Sequence, residues 1–267
     1  MDTSTLQPLT ANPKLDVAAV AHRKSGTNWG FEFRQYGAAA LVAGLLFAFA
    51  AFYWYARQGV FSLNIANRAI ADVAFIILAL VLLLGPLTRW YNVVDRYLQY
   101  RKELGITAAV LVVTHFVISF FLLTSASGRV RFVTTGAKGF LFGSIATLAL
   151  VGLTAISSTT LMRAIGSKRW WGLQRWGIHI AYVASVLHVW FVALPRWRTW
   201  YTKGDPRVLH DQWPSLGILI GWLIAAVLVL RLLEHVNKKA ARIWWYAMLG
   251  LVPLAWIITF WIGRKFA

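Results

Sequence analysis

The sequence predicts an all-α polytopic membrane protein, a bundle of six core transmembrane helices with a seventh at the C-terminal end. Three observations carry that class. Hydrophobic residues make up 59% of the 267 and charged residues only 13%, where a soluble domain is about a quarter charged. Seven apolar runs come near the ~20 residues needed to cross the hydrocarbon core as helix. Many of the 15 Trp and 9 Tyr fall close to the ends of those runs, as interfacial aromatic belts do.

Residues 1–36 are polar and mixed, with Pro8, Asn12 and Pro13. Their one apolar piece, Val17 to Ala21, is too short for the core of a secretion signal. They read as a tail on the cytoplasmic or interfacial membrane surface. The spans follow at Gly37–Ala56, Ala69–Trp90, Ile106–Ser125, Gly139–Thr159, Gln174–Leu194, Leu216–Leu233 and Trp244–Ile262. Pro195 to Pro214 reads as the longest connection between spans, with Trp197, Trp200, Asp205, His210 and Asp211 available to lie on the interface or meet a partner.

Charge sets the orientation. Lys and Arg number 27 against 9 acids, a net +18. They are spread over every loop, which suits anionic headgroups and the positive-inside rule rather than nucleic acid. Four lie in the tail (Lys14, Arg23, Lys24, Arg34), and four after each of spans two, four and six. That is 16 of the 27 on the N-terminal side, so the N-terminus is expected in the cytoplasm and a bacterial inner membrane is the expected location. The absence of cysteine excludes thiolate metal sites, iron–sulfur clusters and thiol nucleophiles.

Function then turns on histidine. An ionisable group inside a span is costly and marks a site. His22, His210 and His235 lie in the tail, a loop and a span end, and read as solvated or interfacial. His115 is near the middle of span three, and His188 two thirds along span five. The face leading to His188 at helical spacing is Gln174, Gly177, Ala181, Ala184 and Ser185. After Gln174 it is all small. Such a face permits close approach of another helix, or of a flat macrocycle; the sequence leaves both open. His179 is nine residues before His188, about 180° around the helix, on a bulky face. Two neutral imidazoles from separate helices suit a haem iron with both axial positions filled. Zinc would need a third or fourth ligand. No acidic residue falls within the third or fifth span, against a carboxylate–His relay there.

Several short pieces stand in a particular order: Leu84-Gly85-Pro86-Leu87-Thr88-Arg89, Arg101-Lys102-Glu103-Leu104-Gly105-Ile106 then His115, Ala155-Ile156-Ser157-Ser158, Lys168-Arg169-Trp170-Trp171-Gly172-Leu173-Gln174-Arg175, and Val186-Leu187-His188-Val189-Trp190. This order resembles the ferric-reductase-like transmembrane domain over about residues 40–235, nearest to the haem-binding membrane subunit of the bacterial periplasmic methionine-sulfoxide reductase system. The resemblance implies a haem domain over 37–234 with an added helix in 235–267. It implies a b-type cytochrome whose haem b is held by His115 and His188, passing electrons outward from quinol or an externally supplied flavin. The donor and acceptor would be a separate redox protein or parts of a larger complex.

The chain departs from two-haem relatives at Arg101 and at Gln174, where the resemblance would place inner-haem histidines. One haem is therefore expected, at the outer site, with His179 as the fallback ligand of an inner one. Two other classes compete. A non-redox assembly subunit would keep the helices without the haem. A transporter would need helix interruptions at the midplane, and no such pair is visible.

Overall fold

A computed structural model describes residues 29–125, 129, 136–205, 208 and 213–266. The chain divides into two compact units, Met1–Arg34 and Gln35–Ala267. In the first unit only the opening turns of the first helix are described; the rest of the architecture belongs to the second. His22, His210 and Asp211 lie outside the described residues.

Among the described residues the protein is all helix, and seven helices are long and apolar enough to cross a membrane. They are α1 (Trp29–Gln58), α2 (Leu63–Trp90), α3 (Arg101–Val117, extended by a π-helical turn Ile118–Leu122), α4 (Ala137–Ala155), α6 (Ser167–Lys203), α7 (Leu216–Val236) and α8 (Lys238–Gly263). A 3₁₀ segment, Asn92–Tyr100, precedes α3, and a short helix α5 (Thr159–Ile165) precedes α6. The fold class read from the sequence is thus the observed one.

Local chemistry sets several ends. Ser62 accepts from the amide of Ile65, Ser158 from Leu161, and Asn237 from Lys239 and Ala240, each satisfying amides a helix start leaves open. Gly204 follows α6 at φ 71°, a left-handed conformation that glycine adopts without Cβ strain.

Two boundaries correct the sequence reading. The tail does not run to residue 36, because α1 already begins at Trp29. Extending an existing helix adds one hydrogen bond per residue fixed, so the apolar span carries its polar flank into helix. Nor does Pro195 open a loop: α6 runs through it to Lys203. Proline there removes one backbone donor, the one for the Phe191 carbonyl, and the helix continues around it with local side-chain bonds. Arg196 donates to the carbonyl of Val192, and Thr199 to that of Pro195. The connection is therefore short, and Trp197 and Trp200 belong to the helix.

α2 is the central helix. Its Ile65, Ala69, Val73, Ile77, Leu78 and Leu82 are buried, and it packs against α3, α7 and α6. α4 lies along α6 and touches α3. Glycines set the α4–α6 spacing: a Cβ on Gly177 would lie 2.5 Å from Leu153 Cδ2, and one on Gly139 2.6 Å from Val192 Cγ2. In lipid, such close backbone approach replaces the hydrophobic drive that water supplies. α8 is stapled to α7 by indoles, with Trp244 Nε1 donating to the Ala226 carbonyl at 2.9 Å and Trp256 Nε1 to the Leu219 carbonyl at 2.8 Å.

Candidate functional site

The packing of α2, α3, α4, α6 and α7 leaves a cavity of about 810 Å³, and both His115 and His188 line it. That volume is within the ~300–1,000 Å³ typical of ligand and cofactor sites. Phe116, Phe120 and Phe140 form one wall, with the rings of Phe120 and Phe140 5.6 Å apart.

Each histidine is turned the same way. His115 Nδ1 lies 3.2 Å from the Asn67 carbonyl and 3.0 Å from Asn67 Oδ1. His188 Nδ1 lies 2.8 Å from the Gly139 carbonyl. A carbonyl oxygen only accepts, so Nδ1 carries the proton in both rings. The neutral tautomer then leaves a lone pair on each Nε2. A backbone or amide acceptor on the far nitrogen is the arrangement that orients metal-ligating histidines.

The supports come from element ends. Asn67 sits in the second turn of α2 and is buried; its Nδ2 donates to Ser119 Oγ at 2.8 Å, which fixes its Oδ1 towards His115. Ser119 lies in the π-helical turn that follows His115. Gly143 faces His188 so closely that a Cβ would stand 2.7 Å from Nδ1 and 3.1 Å from Cε1. Gly139 and Gly143 are four residues apart on α4, one glycine giving the acceptor and the other the space.

The other residues singled out from the sequence divide between two places. Ser185 lines the cavity; Ala181 and Ala184 are buried outside its lining. The small face of α6 thus meets a helix along one part and a cavity along the other: Gly177 takes Leu153 of α4, and Ser185 and His188 open on the cavity. Gln174 Nε2 donates to the Leu153 carbonyl and Ser157 Oγ at the C-terminal end of α4.

His179 is one turn and a residue beyond Gln174 on α6, and both its nitrogens are engaged. Nδ1 donates to the Arg175 carbonyl, and Nε2 accepts from Arg231 Nη2 at 2.9 Å. Arg231 also pairs with Glu234, which holds Arg89 of α2. Arg101 lies in the field of Arg231 and Arg89. His179 is thus tied into an ion-pair network of Arg231, Glu234 and Arg89, and none of His179, Arg101 and Gln174 lines the cavity. Among the described residues, no three His, Asp or Glu side chains cluster as a metal cage.

Sequence reasoning passed over the polar end of the cavity. Trp54, Arg57, Arg68, Asp72, Arg196 and Trp200 all line it. Trp54 Nε1 donates to Asp72 Oδ2 at 2.9 Å, and the guanidinium groups of Arg57 and Arg68 stand 5.5 and 5.2 Å from the Trp54 ring centre. Arg57 is 2% exposed, pairs with Asp205 at 3.0 Å and donates to the Trp213 carbonyl. Arg57 and Arg68 ahead of the second apolar run, and Asp72 within it, were the available signal.

Residues 70–184 match the family model of the ferric reductase like transmembrane component. The match runs from α2 into α6 and includes His115, Arg101, Gln174 and His179; Ser185 and His188 lie just beyond it. No curated protein matches the chain.

Proposed function

We propose that this multi-pass membrane protein is an electron-transfer subunit carrying one haem b between His115 and His188. The observation that carries the reading is the paired orientation of the two imidazoles, each with Nδ1–H on a carbonyl and Nε2 left for iron, on one cavity of about 810 Å³. A bound haem would supply one-electron redox chemistry with both axial positions filled. The chain's own residues do the rest. Asn67 and Gly139 hold the rings, Gly143 gives His188 its place, and the three phenylalanines line an apolar wall.

The family match over residues 70–184 supports this reading, and the nearest type suggested by the sequence is the haem-binding membrane subunit of a periplasmic methionine-sulfoxide reductase system. In that reading the N-terminus is cytoplasmic in a bacterial inner membrane, and electrons leave to an extracytoplasmic acceptor. The inner end bears on the donor. In this reading an ion-pair network of Arg231, His179, Glu234 and Arg89 stands at the end of the bundle where the resemblance would put a second haem. A quinol that moves within the bilayer suits a single outer haem better than a cytoplasmic flavoprotein does. The same network favours one second reading, a non-redox assembly subunit that retains the helices.

Alanine replacement separates the two. His115→Ala and His188→Ala should each abolish haem retention, while His179→Ala should keep it. Loss of haem from His179→Ala alone would put the ligands at the wrong end of α6. A wild-type protein without haem would favour the assembly subunit.

A further inference from the structure

The cavity carries an acid inside a membrane span. Asp72 is on α2, one turn beyond Arg68, and is only partly buried because it faces the space it lines. Trp54 Nε1 donates to its Oδ2 at 2.9 Å, and α7 presents Gly217, where a Cβ would stand 3.8 Å from Oδ1. Among the described residues Asp72 takes part in no ion pair. An intramembrane carboxyl hydrogen-bonded by one indole and in the field of Arg68, on the same cavity as two histidines, marks a functional site.

We propose that Asp72 is the proton-exchanging group of this cavity, taking up one proton as one electron arrives at the His115–His188 haem and releasing it on reoxidation. The proposal rests on the haem reading. The balance is one electron in from a one-electron donor and one proton in from water, with the carboxylate becoming the carboxylic acid, so the cavity's net charge is unchanged. In a low-dielectric site an added electron strengthens proton binding nearby, and by linkage the bound proton strengthens electron binding equally.

The neighbouring charges leave this role to Asp72. α1 contributes Arg57 and α6 Arg196, and Arg68 precedes Asp72 on α2. Guanidinium groups stay protonated throughout the accessible range. Asp205 is already paired with Arg57 at 3.0 Å. His115 from α3 and His188 from α6 are committed to iron in this reading. α4 and α7 offer only uncharged groups to the cavity, Ser144, Thr147 and Gly217 among them, and Ser215 just ahead of α7 adds a hydroxyl.

The test is a potentiometric titration of the haem spectrum in the purified full-length protein between about pH 5 and about pH 9. The midpoint potential should fall with rising pH over part of that range, approaching ~59 mV for each tenfold change in proton concentration. Asp72→Asn should flatten that part of the profile with the absorption spectrum kept, and Asp72→Glu should restore the slope. Trp54→Phe removes the donor that favours the carboxylate, so the sloping window should move to higher pH. This variant decides the matter if Asp72→Asn does not fold. A wild-type slope in Asp72→Asn, a flat wild-type profile, or an unmoved window in Trp54→Phe overturns the proposal while leaving the haem. A protein with no haem spectrum overturns both.

Discussion

Gly143→Ala isolates the geometry on which the site depends. The added methyl would lie 2.7 Å from His188 Nδ1 and 3.1 Å from Cε1. Ordinary contact between such atoms is about 3.5 Å, so the ring must retreat by roughly 0.8 Å from α4. The hydrogen bond from Nδ1 to the Gly139 carbonyl, on the same helix, is 2.8 Å long. That retreat carries it to about 3.6 Å, outside the useful range. Losing the bond costs about 1 kcal/mol, and residual overpacking about 1–3 kcal/mol. Disturbing the group that orients a metal-binding histidine typically weakens metal affinity about 10–100-fold. Haem titration into stripped protein, with thermal unfolding in the same detergent, measures both effects. Gly152→Ala is the control, since a Cβ there meets nothing within 4 Å. It should leave haem affinity alone and add up to ~1 kcal/mol of helix propensity. A Gly143→Ala protein with wild-type haem affinity would refute the placement of His188 against α4.

Other perturbations probe the surroundings. Asn67→Leu removes both the acceptor amide for His115 and the donor to Ser119, and should weaken haem binding by about 10–100-fold in the same titration. Asp205→Ala removes the carboxylate that pairs with Arg57, 2% exposed; thermal unfolding should show a loss of up to about 3–5 kcal/mol. Arg89→Ala, at a side chain 51% exposed, should cost under about 1 kcal/mol. Gly221→Ala puts a methyl 2.9 Å from the Trp197 ring that lines the cavity. A rigid indole has little room to yield, so a loss of about 1–3 kcal/mol is expected.

The spans were legible because lipid imposes length and polarity on every segment separately. The ends were less so. Trp29 and Pro195 are inside helices that composition would have stopped short, since local propensity does not record what a long helix or a neighbouring Arg196 and Thr199 can absorb. His115 and His188 were legible because an imidazole stands out in an apolar run. Their supports did not. Asn67 and Gly139 fall at span ends, where polar and small residues are ordinary, and their meaning depends on α2 lying against α3 and α4 against α6. Asp72 was in view within the second run, but its bearing on the histidines depends on which helices share the cavity. For His179, sequence could set it apart from His188 by 180° but could not supply Arg231 from α7, whose guanidinium takes the nitrogen an iron would need.

In the proposed function two histidines, from α3 and α6, fill both axial positions of a haem. The most direct measurement is the absorption spectrum of the purified protein, oxidised and then reduced, with and without carbon monoxide. About one b-type haem per chain is expected, with reduced bands that do not change with carbon monoxide. Carbon-monoxide-sensitive bands in the wild-type protein, or no haem bands, would contradict it.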